Sequence, residues 1–417
     1  MLKKLVFSLF SAQGKLKIKC VYIWHGACGL KHRTWNLEPK ILTVMDKLSI
    51  VKIVVFILFS LVFFGCDRNE IPEPEDNNII PLNFSIDIPD ALSRDASMRK
   101  SATETDTLPG DLMYRYLTNF IKLGEEGAEL TEDILDIIST YQIDQPMILS
   151  YESDDDKNVK NLVVVENSEF DGVVWEFQMT ITDADSEMDE DGGIGMQLFW
   201  NQDPVKGIAL IKPSNLDRIN NKHKENVMYR IDYGETGEFS YDAYMIVTAD
   251  SLPMLPASAK NYAMKTMKMF VGKKGDIVDL YGNSVNPDAF FYTKEVGIGY
   301  NWAFVASAKD TENIGVIEVG LPKNDLNETN RAVLLDTNAM RKVLTEALYI
   351  SKPNMPPDVV NAKLANTEAP GYFDSYGFVA AGERPHEKYA ELDVRLPDLC
   401  PYNPVEIRDL NIYFKAD

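Results

Sequence analysis

Six carboxylates crowd one short stretch of this chain: Asp183, Asp185, Glu187, Asp189, Glu190 and Asp191 run into Gly192-Gly193. Hard oxygen ligands at alternate positions are what calcium takes, so Asp183, Asp185, Glu187, Asp189 and Asp191 are the candidate metal ligands. A calcium loop of the EF-hand kind opening at Asp183 needs glycine at its sixth position and glutamate at its twelfth. The chain has Met188 and Ile194 there. Loose calcium binding stays open, beside the plainer reading of a solvated acidic hairpin tip. Asp154-Asp155-Asp156 forms a second link of the same kind.

Hydrolytic motifs fail on inspection. Gly282-Asn283-Ser284-Val285-Asn286 approaches a nucleophile elbow but lacks the closing glycine, and Pro287 blocks the helix that should follow. Tyr281 to Ala289 reads instead as a loop at a sheet rim. His386-Glu387 opens a zinc-protease motif that ends in Ala390 where histidine is needed. Cys400 would need a histidine to act as a nucleophile, and beyond residue 66 the chain offers His223 and His386. It reads as a small buried apolar residue. Acid and base work would fall to carboxylates, so a carboxylate-based hydrolase remains an alternative with no catalytic residue singled out.

Helical and strand periods divide the chain that must position these residues. Residues 66–110 are acidic and interrupted by proline, with an apolar island at Leu82, Phe84, Ile86 and Ile88 that predicts an edge strand. Residues 111–141 are helical: Leu112, Met113, Tyr116, Leu117, Phe120 and Ile121 recur at helical spacing. The pattern resumes after Gly124 and Gly127, predicting a helix pair. Residues 142–335 switch to strand period. Val173, Trp175, Phe177, Met179 and Ile181 alternate with Val174, Glu176, Gln178, Thr180 and Thr182, one dry face and one wet. Similar runs at 147–151, 161–166, 194–200, 207–212, 227–233, 240–249 and 264–271 are separated by short turns, which favours an antiparallel meander over parallel crossovers. Residues 336–417 predict a helix over 336–349, an irregular Pro-rich wrap carrying Tyr372, Phe373, Tyr376 and Phe378, and a last strand over 410–414. The fold class is α+β, mostly β: a curved antiparallel meander sheet or open barrel with helices packed on its concave face.

The N-terminal part carries an address. Lys47 and Lys52 flank an apolar run ending in Leu61-Val62-Phe63-Phe64-Gly65-Cys66, about the length of a secretory core and shorter than a membrane span. This resembles a bacterial lipoprotein signal. The resemblance implies that residues 45–65 are a signal peptide, that cleavage precedes Cys66, and that Cys66 carries a covalent lipid anchoring the protein to a membrane of the cell envelope. Asp67 to Asp76 would then be a Pro-containing acidic tether. A working signal lies at the start of the nascent chain, so residues 1–44 are expected to be upstream sequence and Met45 the true start.

The full chain carries net charge −22, and after residue 65 there are 32 basic and 62 acidic residues, net −30. Such a surface repels nucleic acid, which is excluded as a partner. No cofactor is implied beyond the lipid on Cys66 and loose calcium. The function expected is non-catalytic: a membrane-tethered envelope lipoprotein with a binding or structural role and an envelope protein as partner. The alternative is a carrier whose sheet face, through Trp175, Phe177, Met179, Trp200, Tyr229 and Met245, holds an apolar, lipid-like ligand.

Overall fold

A computed structural model describes residues 4–12, 15–24, 31–35, 84–93, 110–139, 143, 145–253, 263–292 and 299–416. The chain forms two compact units, Met1–Asp76 and Asn77–Asp417. In the first, β1 (Lys4–Ala12), β2 (Lys15–Trp24) and β3 (Lys31–Trp35) pair antiparallel in sequence order. Cys66, the signal-like run before it and the tether lie outside the described residues.

The second unit is mostly β. Its strands are β4 (Met147–Glu152), β5 (Val159–Phe170), β6 (Val173–Asp183), β7 (Ile194–Gln202), β8 (Val205–Ile211), β9 (Met228–Gly234) and β10 (Ala243–Asp250). They continue as β11 (Thr266–Lys274), β12 (Ile277–Asn286), β13 (Tyr300–Lys309), β14 (Ile314–Gly320), β15 (Gly371–Asp374) and β16 (Gly377–Ala381). All 13 lie in one sheet, each hydrogen-bonded to its neighbours in sequence and antiparallel to them. The sheet is an open meander with β4 and β16 as its edges. Local chemistry sets the register. Asp171-Gly172, both left-handed (φ 53° and 74°), closes the β5–β6 hairpin with the two-residue turn whose twist matches the strands.

One face of this sheet meets a single long helix, Gly110–Ser139. The two glycines expected to split it do not, because they serve close approach instead. A Cβ on Gly124 would lie 2.4 Å from Met269 Cε, and one on Gly127 would lie 3.1 Å from Tyr229 Cδ1. The helix crosses the strands. Tyr114 stacks on Phe378 of β16, Phe120 meets Phe304 of β13 edge-on, and Gly127 sits at Tyr229 of β9. Met113, Leu117, Ile121, Ala128 and Leu135 join the sheet side chains in one core.

The edge strand expected at 82–88 does not form over its described residues. Residues 84–89 form no strand pairing, yet Phe84, Ile86 and Ile88 are buried in the same core. Helix carboxylates take the place of a strand partner: the Phe84 amide donates to Glu132 Oε1 at 3.1 Å and the Ile88 amide to Glu125 Oε1 at 3.2 Å. Burial pushes the Glu125 carboxyl above its usual value, against these bonds.

The opposite face is covered by the C-terminal part. Leu334, Leu335, Tyr389, Leu392, Leu396 and Leu399 pack on Val305, Val316 and Tyr372, so β12 to β14 are buried on both sides. Arg395 forms a two-pronged ion pair with buried Asp279, which also accepts from Tyr241 Oη and Ser307 Oγ. Three expectations change here. Tyr281 to Ala289 is not simply a rim loop, since β12 runs through Asn286 and its buried register carries Ser284. The aromatic wrap at 372–378 builds the β15–β16 hairpin instead of irregular chain. The helix expected over 336–349 forms as Met340–Ser351, but residues 410–414 are not a strand. They lie on the outer face of β7 and β8, where Ile412 and Phe414 pack with Phe199, Ile208 and Leu210.

Candidate functional site

Met179, Trp200 and Met245 are fully buried and Tyr229 is 5% exposed, all within the core that the long helix completes, with Phe177 half-buried against Trp200. Of this set, Tyr229 lies against Gly127 of the helix, and Phe84 packs at Gly207, the cross-strand partner of Trp200. Trp175 stands apart. It packs with Phe170 and Phe199 in the separate cluster on the outer side, and its Nε1 donates to the Phe170 carbonyl. A left-handed Asn167 (φ 56°) interrupts β5 near this point, which breaks the simple alternation that groups Trp175 with Phe177.

The tip of the acidic link is solvated, with Asp185, Glu187, Met188, Asp189 and Glu190 exposed, while its base is buried at Asp183. The link folds onto the end of the sheet where the β4–β5, β6–β7 and β8–β9 links converge around Lys160, which is 1% exposed. Lys160 Nζ donates to Asp156 Oδ2 at 2.8 Å, to Asp183 Oδ2 at 3.1 Å and to the Asn215 carbonyl at 3.1 Å. Arg218 Nε donates to Asp183 Oδ2 at 2.8 Å and its NH2 to Asp189 Oδ2 at 3.3 Å. Lys212 pairs with Asp191, which also accepts from Asn215 Nδ2. Asp183 Oδ1 caps the turn that follows by accepting from the Asp185 amide.

Burial pushes Asp156, Asp183 and Asp191 upward, but hydrogen bonds from Lys160, Arg218, Lys212 and nearby amides outweigh it. All three carboxyls are held below their usual range. Of the five calcium candidates, Asp183, Asp189 and Asp191 are therefore engaged by the chain's own cations. Glu187 accepts from Asn161 Nδ2, and Asp185 enters through its backbone. Among the described residues no group of three or more potential ligands is placed to hold a metal ion. Lys160, Lys212 and Arg218 were not singled out from sequence, though one signal was there. Lys160 shares the dry register of β5 with Leu162 and Val164, where a lysine demands a buried partner.

This pinned β8–β9 link stands between two cavities. On one side a cavity of about 900 Å³ is polar, lined by Asp189, Asp191, Lys212, Arg218, Lys222 and Glu225 among others. It adjoins a smaller one of about 550 Å³ beside Met228, Tyr413 and Phe414. On the other side a cavity of about 730 Å³ lies between the link, through Pro213, Leu216, Asp217 and Lys224, and the C-terminal half of the long helix.

The remaining sequence candidates are structural here. Ser284 is buried and donates to Asn286 Oδ1. His386 caps a short turn by accepting from the Lys388 amide. Cys400 is half-buried and not the buried apolar residue expected; partial burial pushes its thiol up, and its Sγ donates to the Thr329 carbonyl. Among the described residues no helix is long and apolar enough to cross a membrane. Comparison with protein-family models, curated proteins and solved structures returns no match.

Proposed function

We propose that this chain is a non-catalytic, lipid-tethered binding protein of the bacterial cell envelope, and that it engages its ligand or partner at the rim around the β8–β9 link. The observation that carries this reading is where open volume lies. Five of the six apolar sheet residues that would line a carrier's interior lie in or against the core shared with the chain's own helix, Tyr229 directly against Gly127, which favours a filled scaffold over a carrier. Concave space with convergent polar groups lies on both sides of a link that a buried lysine and an arginine hold in place. A rigid link of this kind suits recognition, because little order has to be gained on binding.

The tether rests on the signal-like run ending at Cys66 and the acidic stretch after it. Net charge of −30 beyond residue 65 keeps the folded part away from anionic headgroups, consistent with a protein held off the bilayer and turned toward a ligand or protein partner.

Replacing Cys66 with Ser tests the tether. Incorporation of a labelled fatty acid is expected to be lost and the protein to leave the membrane fraction; retained labelling removes the lipoprotein reading. Native mass spectrometry of protein purified gently from an envelope tests the binding site. A bound mass released by Arg218→Ala or Leu216→Arg places it at the rim, whereas an extractable lipid indifferent to both substitutions would favour a carrier.

A further inference from the structure

We infer that the cavity between the long helix and the β8–β9 link takes a cationic amphiphile, an alkyl chain carrying an ammonium headgroup; this rests on the reading of that rim as the binding surface. The helix presents two parallel stripes to the cavity. Leu123, Gly127, Leu130 and Ile134 follow heptad-like spacing and form an apolar floor, with the three large side chains only half-buried. Glu126, Glu129, Asp133 and Asp136 recur along the flank at the complementary spacing. Leu216 and Tyr229 extend the apolar surface, while Asp155 and Asp217 add carboxylates on the far wall. Among the lining residues Lys224 is the single cation against six carboxylates. Burial, and then the nearby charge of Glu126, push the Tyr229 phenol up to about 12, so it stays neutral in the cavity wall.

Shape and charge together narrow the occupant. An apolar floor has no use for a fully polar ligand, and the carboxylate rim repels a fatty acid or anionic phospholipid. A basic amphipathic helix shares this chemistry and is the competing occupant; the cleft's volume of about 730 Å³ is that of a small-molecule site. A single alkyl chain fits that volume along the floor with its headgroup among the helix carboxylates, within the size range of small-molecule sites.

The test is isothermal titration calorimetry on the purified full chain with dodecylammonium, dodecyl sulfate and dodecyl maltoside, each below its micelle threshold. Dodecylammonium is expected to bind saturably and at least about tenfold more tightly than the other two. Replacing exposed Glu129 and Asp133 together by Gln and Asn should weaken it about tenfold, the order expected for losing two solvent-exposed charge contacts, with the melting temperature unchanged. Equal affinity for the three amphiphiles, or ammonium binding indifferent to the paired substitution, overturns the inference. Deuterium exchange separates this failure from failure of the rim reading. If dodecylammonium does not bind but material co-purified from the envelope protects residues 213–226, the inference falls and the rim stands. Protection elsewhere with that link unaffected sinks both.

Discussion

Replacing Lys160 with Met removes one charge from the centre of the rim while keeping most of the side chain's length. In the native protein the Lys160, Asp156 and Asp183 side chains are at most 2% exposed. Without the ammonium, Asp156 keeps the Asn158 and Arg218 amides, and Asp183 keeps Asn158, Arg218 Nε and the Asp185 amide. Breaking a buried ion pair from one side costs about 3–5 kcal/mol because it strands the remaining charge. The surviving bonds put Lys160→Met at the lower end, about 3 kcal/mol, or a melting temperature lower by about 6 °C for a unit of this size. Urea unfolding at neutral pH and near pH 4 measures it. The sign with pH follows from the depressed carboxyls. In the native protein they contribute stability that is present above their unfolded value, near 3.8, and lost as pH falls through the lower folded values. In the variant, burial is less opposed and the carboxyls rise, so they protonate earlier. The deficit is full at neutral pH and narrows toward pH 4. A loss under about 1 kcal/mol, or a deficit equal at both pH values, would refute the account of a buried, charge-satisfied rim.

Two other substitutions probe what holds the scaffold. Arg395→Leu leaves buried Asp279 with the Tyr241 and Ser307 hydroxyls alone, and with Arg395 itself about a third exposed the cost should lie at the lower end for a broken pair, about 3 kcal/mol; deuterium exchange over residues 387–399 should rise first, and uniform exchange would show that the ion pair does not clamp this segment. Gly127→Val forces methyl groups against Tyr229 and Val247 and should cost about 1–3 kcal/mol by overpacking. Gly127→Ala is the control, because up to about 1 kcal/mol of helix propensity offsets its tighter contact; equal stability of the two variants would mean that the helix does not press on the sheet.

Eight strands, β4 to β11, were expected close to where they lie. The alternation of apolar and polar residues is clearest in β4, β5, β6 and β9, whose outer faces are only partly covered, while β7 and β8 are buried on both faces and are marked by the turn residues that bound them. Legibility ends at β12 to β14. Packing from residues 332–399 buries their second face, and the sequence there reads as continuous small and apolar residues such as Ala303 to Ala306, which alternation cannot resolve. Turn-rich composition misled at Gly282 to Asn286 for a related reason. Gly282 is required by contact, since a Cβ there would lie 2.6 Å from the Lys268 carbonyl oxygen and 2.9 Å from Phe304. Gly124 and Gly127 misled in the same way inside the helix. A glycine read alone signals a break, and only the partner surface shows that it signals an approach.

That asymmetry across the sheet also bears on where binding can occur. Where both faces are buried, the side chains are committed to packing, and a ligand would have to displace the helix or the C-terminal wrap. At the other end of the sheet three links between strands converge, and the chain uses its charged residues to fix them: Lys160 is buried to hold Asn215, and Arg218 spans two links. Burying these charges is costly in desolvation and adds little net stability compared with apolar packing. The arrangement does hold the β8–β9 link open between two cavities, and that is a reason for a fold to retain such a cluster when an apolar one would be more stable.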